Sequence, residues 1–354
     1  MSQSRQARPE QGRTPRKSGF GGQAETDRLG RILDRFAGLK ILVIADLVAD
    51  EYVYGEIARV SREAPVVILR HRHERIVPGG GANAVNNLAD LGAKPLPVGV
   101  LGDDRPGQAL LEYFDQKKID LGGVVRARGR RTTTKTRYLA GWTHTAAQQV
   151  LRMDREAGEP LAPAVLRKLK AAAQRFQRGA KAVLISDYGY GAASPELVRA
   201  ISATVEKSVP ITLDARHNLL RYPQVTAATP NEPEIEELFA RPIGTDARKL
   251  EECGKEILRR MGLQALLVTR GKDGMVLFEP DRKPQYIPIF GTDEIADVTG
   301  AGDTVIAVFT LALAAGAGFL DAARLANYAG GIVVMKRGTA TVTREELRAA
   351  IERR

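Results

Sequence analysis

The chain has 354 residues, of which 44% are hydrophobic, 5% aromatic and 27% charged, with a net charge of +11. That is enough apolar material for one large or two modest globular domains, and it excludes fibrous, collagen-like and wholly disordered classes. One cysteine, Cys253, forms no internal disulfide, and no apolar run reaches the roughly 18 to 20 residues of a membrane span, so a cytoplasmic protein with no membrane contact is expected.

Residues 1–24 are polar, rich in Arg, Gln, Gly and Pro, and lack the apolar centre of a secretory signal. They are predicted to be a disordered basic tail. Arg5, Arg8, Arg13, Arg16 and Lys17 against Glu10 concentrate positive charge there. The remaining excess is spread along the body without the basic and aromatic clustering that a nucleic-acid surface needs. Anionic small molecules, or a merely basic solvated surface, account for it.

From residue 38 onward the chain alternates strand-like and helix-like runs. KILVIAD (40–46) reads as a strand. Residues 52–78 read as two extended segments around Ser-Arg-Glu-Ala-Pro. GANAVNNLADLG is a helix, KPLPVGVLG a strand and PGQALLEYFDQKK a helix. Residues 124–153 are again mostly extended. Then follow the helix PAVLRKLKAAAQRFQ, the strand AVLISD and a helix with Ser194 as N-cap and Pro195 at its first position. PITLDA and VTAATP are strands, EPEIEELFA and DARKLEECGKEILRRMG helices, and ALLVTRG and MVLFEP a hairpin. Cys253 lies in one of these helices, where nothing marks an activated thiol. Three helices close the chain. This alternation predicts an α/β domain, three layers deep, with a mainly parallel sheet. Ligands bind such sheets at the carboxyl ends of the strands, where Asp46, Asp187 and Asp214 stand. The non-alternating stretches 52–78 and 124–153 are predicted to form a small β-lid over that edge.

Four motifs bear on chemistry. PGGGANAVNNLADLG (78–92) sets three glycines before a helix, with Asn83 and Asn87 one turn apart on one face. It is either a plain helix start or a place where sugar hydroxyls bind. DVTGAGDT (297–304) sets Gly300, Ala301 and Gly302 at the start of an apolar helix, with Asp303 in its first turn. Unpaired amides and the helix dipole favour negative charge there. Asp303 is thus either a dipole-stabilised acid or a base beside an anion hole, able to take a proton from a hydroxyl that attacks phosphorus. TPNEPEIEEL (229–238) puts Asn231 and Glu234 three apart at a helix start, either as a cap or as hard oxygen ligands suited to Mg²⁺. VTRGKDGM (268–275) gives Thr269, Gly271 and Gly274 in a turn that either lines a nucleotide or only joins two strands. The P-loop pattern GxxxxGK[ST] and the HRD kinase loop are both absent.

The four motifs together, in this order, resemble the ribokinase-like (PfkB) family of sugar kinases over residues 38–350. The run ADLVADEYVYGEIARVSREAPVVIL, with Asp46, Asp50, Tyr52, Gly55, Arg59, Ser61, Glu63, Ala64, Pro65 and Val66, resembles the D-glycero-β-D-manno-heptose-7-phosphate kinase subgroup of the ADP-heptose pathway. So do TKTRYLAG, QQVLRMD, LISDYGYG, LDAR and KRGTATVTREEL. The resemblance implies an ATP-dependent kinase in which Asp303 is the base and the amides from Gly300 through Ala301 and Gly302 to Asp303 form the anion hole. It implies that Asp46, Gly80, Gly81 and Asn83 hold the sugar, and that Thr269, Gly271, Gly274 and Asn327 border ATP. Asn231 and Glu234 would organise Mg²⁺ through water, and a monovalent cation is a further cofactor to expect. The lid would pair two subunits into a homodimer. A sugar phosphate needs cations for its distal dianion. Arg59, Arg62, Arg137 and Arg152 are the candidates, Arg137 and Arg152 foremost because they lie in the matching segments. Tyr190 stands where the subgroup commonly has lysine, and Asp214-Ala215-Arg216 where it often has Asp-Pro-Lys. Relatives in the subgroup often carry a second, cytidylyltransferase-like domain with His-x-Gly-His. That pattern does not occur here, so the kinase half alone is expected.

Overall fold

A computed structural model describes residues 22–141, 147–222, 224–291 and 296–353. The predicted disordered tail lies almost wholly outside the described residues. Its last positions already belong to helix α1 (Gln23–Asp34), which the sequence reading had left out of the domain. Leu29, Ile32, Leu33 and Phe36 are spaced to lie along one side, and all four are buried. Arg28 pairs with Asp321, and Arg324 with Glu25, fastening this helix to the C-terminal part of the fold.

Strand β1 (Lys40–Ala45) leads after one residue into β2 (Leu47–Val60), which turns back as β3 (Val67–Gly80) and runs directly into α2 (Gly81–Asp90). Then come β4 (Lys94–Gly102), α3 (Arg105–Gln116), β5 (Val124–Ala127), β6 (Thr134–Gly141) and β7 (Gln148–Arg155). The second half continues with α4 (Pro163–Phe176), β8 (Ala182–Asp187), α5 (Pro195–Ser202), β9 (Ile211–Ala215), β10 (Ala227–Ala228), α6 (Glu232–Phe239) and α7 (Ala247–Met261). It ends with β11 (Ala265–Thr269), β12 (Met275–Phe278), β13 (Gln285–Ile287), α8 (Ala301–Ala314), α9 (Phe319–Val333) and α10 (Arg344–Glu352).

Nine strands form one sheet in the order β13-β12-β11-β10-β9-β8-β1-β4-β5. All neighbours from β11 to β5 are parallel, and only the β11–β12 and β12–β13 pairings are antiparallel. The sheet is buried on both faces, as parallel sheets are. Along β1 the residues Ile41, Val43 and Ala45 join a core with α1, α2, α3, α8, α9 and α10, while Leu42 and Ile44 join the opposite core with α4, α5 and α7. These are the predicted three layers.

A second sheet, ordered β3-β2-β6-β7, stands over the carboxyl ends of the first. It is the predicted lid with one correction. Val124–Ala127 was read as lid but pairs in parallel with β4 at the edge of the main sheet. Extended residues cannot be allotted to one sheet or the other by pattern alone. The lid's second half therefore begins at Thr134.

Candidate active site

Helix α8 is apolar on all sides and runs through the core, so its N-terminus opens at the carboxyl edge of the sheet. Gly300 precedes it with φ of 78°, a left-handed conformation that glycine adopts without strain. The amide of Ala301 bonds to the carbonyl of Val298 at 3.2 Å. The amides of Gly302 and Asp303 find no acceptor among the described residues and are the open donors of this helix start. Asp297, the other acid of the motif, is a loop builder. Its carboxylate accepts from the amides of Thr299 and Gly338 at 2.9 Å each.

The Asp303 side chain is 2% exposed. The Tyr188 hydroxyl donates to its Oδ1 at 2.8 Å, and Asn83 Nδ2 donates to its Oδ2 at 3.3 Å. Asn83 is itself oriented by Asn87, whose Nδ2 donates to the Asn83 carbonyl and to Oδ1. The two asparagines of the glycine-rich motif thus act in series on one carboxylate. Burial pushes Asp303 up to about 7, opposed by the Tyr188 and Asn83 donors, raised further by Asp50 and opposed again by Lys135. Burial and the adjacent Asp303 push the Tyr188 phenol well above its ordinary range, so it stays protonated and donates. A carboxylate with a pKa near neutrality and two fixed donors is suited to taking a proton.

Two cavities meet at this point. One, of about 510 Å³, is lined by Asp187, Tyr188, Asp214, Arg216, Asn231, Glu234 and Asp303. The other, of about 140 Å³, is lined by Thr269, Gly271, Gly274, Asn327 and the small residues Gly330 and Gly331. Thr269, Val298 and Gly302 border both. All four residues expected at a nucleotide therefore converge, next to Ala301 and Gly302. Asn327 Nδ2 donates to the Pro288 carbonyl at 2.8 Å, so it shapes the wall of this cavity.

Of the acids at the strand ends, two have structural employment. Asp46 accepts from the amides of Tyr188, Tyr190 and Ala192, each at 2.9 Å. Its carboxylate builds the loop that carries Tyr188, so the sugar-holding part assigned to it by resemblance is not what its contacts serve. Asp187 accepts from the Gly189 amide at 2.9 Å and the Tyr222 hydroxyl at 2.5 Å. Asp214 alone has no hydrogen-bond donor among the described residues. Burial, with Glu234, Asp303 and Asp187 nearby, pushes it well above the usual carboxylate range. Asn231 and Glu234 form a reciprocal capping box, with Glu234 Oε2 taking the Asn231 amide at 2.9 Å and Asn231 Oδ1 the Glu234 amide at 2.8 Å. One Glu234 oxygen remains for the cavity. A donorless carboxylate beside that oxygen is a hard-oxygen set that fits Mg²⁺.

The remaining expectations divide. Gly81 packs so closely on Ala45 and Asp46 that an added Cβ would come within 2.5 Å of the Ala45 Cβ, so backbone packing uses its small size. Gly80, with φ of 49°, abuts the Tyr188 ring. Arg137 is buried and donates to Asp50 Oδ1 at 2.8 Å, and Asp50 also accepts from Thr339. Arg152 holds Asp154 through two bonds of 2.8 and 2.5 Å. Arg59 and Arg62 are exposed at the outer end of the β2–β3 hairpin. Tyr190, at the subgroup's lysine position, turns its hydroxyl to Glu156 at 2.9 Å. Tyr188 and Lys135 were missed as site residues. Both sit inside segments already matched, and only the fold brings them to Asp303.

Comparison with known proteins identifies the family and the fold. Residues 42–346 match the model of the pfkB family carbohydrate kinases. Proteins named "Bifunctional protein HldE" from Trichlorobacter lovleyi and Geobacter metallireducens are 38% and 40% identical over 322 and 311 residues. These alignments cover 90% and 87% of this chain but 64% and 62% of the relatives, so the chain spans less than two thirds of their length. Arabidopsis thaliana ribokinase complexed with ribose and ATP superposes with a TM-score of 0.68 at 21% identity, over 89% of this chain and 99% of that one. Escherichia coli phosphofructokinase-2 in complex with fructose-6-phosphate gives 0.70 at 17%, over 89% and 98%. These structures share the ribokinase-like fold.

Proposed function

The chain belongs to the pfkB family of carbohydrate kinases, and from that premise we propose that it transfers the terminal phosphoryl group of ATP to O1 of D-glycero-β-D-manno-heptose 7-phosphate in the cytoplasm. The product is the 1,7-bisphosphate of ADP-heptose biosynthesis. The identity to proteins named HldE supports this acceptor, as does the run from Asp46 to Val66. The observation that carries the reaction is Asp303, gripped by Tyr188 and Asn83 at the junction of the two cavities.

The acceptor hydroxyl enters from the larger cavity and gives its proton to Asp303 as its oxygen attacks the terminal phosphorus of ATP, whose bond to the bridging oxygen breaks to release ADP. The amides of Gly302 and Asp303 take up the charge of the moving group. Little covalent chemistry is asked of the protein, and most of the effect is positioning and charge neutralisation. Asp214, Glu234 and Asn231 would hold Mg²⁺, partly through water, and the ion neutralises phosphate charge when bound. Two copies join through the lid.

Asp303→Asn tests this reading. It keeps the shape and removes the base, and kcat is expected to fall by about 10²–10⁴ while ATP binding persists. Near-normal turnover would refute the role of Asp303. Failure of the wild-type protein to phosphorylate heptose 7-phosphate, with activity on another sugar, would refute only the acceptor.

A further inference from the structure

The inner face of the lid carries a cation that no carboxylate among the described residues pairs. Side chains alternate along a strand. The register sets Asp50 and Tyr52 of β2 against Lys135 and Arg137 of β6, and these against Asp154 and Arg152 of β7. On this face Arg137 takes Asp50 and Arg152 takes Asp154. On the opposite face Arg155 takes Glu51, which also accepts from Thr136.

Lys135 is left over. It is 7% exposed, and its ammonium lies 4.8 Å from the centre of the Tyr188 ring. It has no carboxylate at ion-pair distance and no hydrogen-bond acceptor among the described residues. From the other side comes Arg216, just past β9, which lines the larger cavity with Asp303. Its guanidinium likewise has no ion pair or hydrogen bond among the described residues. The two cations feel each other. Burial and then Arg216 lower the Lys135 ammonium, and Arg152 lowers it further, while Asp50 and Asp303 raise it.

Leaving a buried ammonium without an acceptor is costly, and the like charge of Arg216, which lines the cavity beside Tyr188, adds to that cost. A dianion between them removes both penalties. The moving phosphoryl group already has the open amides of α8, and neither cation lines the nucleotide cavity.

We infer that Lys135 and Arg216 form a subsite for a phosphate monoester that the acceptor already carries, away from the hydroxyl that is phosphorylated. The inference rests on the sugar-kinase reading and adds the residues that select a phosphorylated acceptor. Arg137, favoured for this part from sequence, is instead the buried partner of Asp50.

The test is binding of paired ligands to the ADP-loaded protein by calorimetry. The pairs are heptose 7-phosphate with heptose, and fructose 6-phosphate with fructose. The wild-type protein is expected to prefer one phosphorylated member by at least about tenfold, as charge-assisted contacts require. Lys135→Met and Arg216→Gln should each collapse that ratio toward one, with the loss of affinity falling mainly on the phosphorylated member of the pair. An unchanged ratio in the variants, equal losses for both members of a pair, or no preference in the wild type overturns the inference. A preference that collapses for fructose 6-phosphate alone upholds the subsite and refutes heptose as the acceptor. Arg216 is exposed, so Arg216→Gln carries the test even if Lys135→Met fails to fold.

Discussion

At the level of single residues, the proposed reaction hangs on how one buried carboxylate is kept ionised. Asp303 faces Asn83 from α2, Tyr188 from the loop after β8, Asp50 from β2, Lys135 from β6 and Asp214 from β9. Burial raises its pKa to about 7, so the base is lost as the pH falls through that value. The profile of kcat/KM should therefore rise through an acidic limb near pH 7. Tyr188→Phe removes a donor that favours the ionised form. That variant should move the limb upward by about one unit and recover most activity above it. Tyr222→Phe removes a comparable phenol–carboxylate bond, to Asp187, and should lower the melting temperature without moving the limb. If both variants leave the limb in place, Tyr188 only packs. Asp303 could be picked out from sequence because a helix start rich in glycine concentrates the signal in eight residues. Lys135 could not, since its isolation depends on which carboxylates its strand neighbours have already taken.

At the level of elements, the site is made by ends rather than by faces. The N-termini of α2 and α8 meet where Asn83 Nδ2 reaches the Gly300 carbonyl at 3.4 Å and Asp303 at 3.3 Å. A Cβ on Gly300 would lie 2.6 Å from Asn83 Nδ2. Gly300→Ala should cost about 1–2 kcal/mol through its left-handed backbone and also turn Asn83 from the base. Gly316 has a similar φ of 85°, but the nearest atom to its added Cβ is an Arg35 nitrogen at 3.7 Å. Gly316→Ala should thus lose stability alone, and equal kcat in the two variants would contradict the Asn83 linkage. The strand–helix alternation made the three layers readable in advance. The strand-end acids misled for a physical reason. A carboxylate at a strand end can bind a ligand or fold the next loop, and composition is the same in both cases. Asp46 and Asp187 fold loops.

Across the whole molecule, the lid leaves an edge uncovered. All eight residues of β7 are exposed, among them Leu151 and Met153 at 53% and 48%. Arg152 turns inward to its place beside Arg137, so Leu151 and Met153 turn out. An open apolar edge invites a second chain, and light scattering is expected to give a dimer. The double substitution Leu151→Asp with Met153→Asp should give a monomer, whereas a dimer that survives it, or a monomeric wild type, contradicts the lid contact. The lid has a further property, which lies in its connectivity. Strands β2 and β6 pair in parallel, Ala49 against Thr134, and the chain between them passes through α2, β4, α3 and β5. The lid is therefore no detachable flap grafted on a finished core. Loop-closure entropy delays pairings of such long separation, so during refolding the amides of β6 should gain protection from hydrogen exchange after those of β1 and β4. On that expectation the surface proposed to recognise an acceptor is completed only after the β1–β4 pairing beneath it is in place.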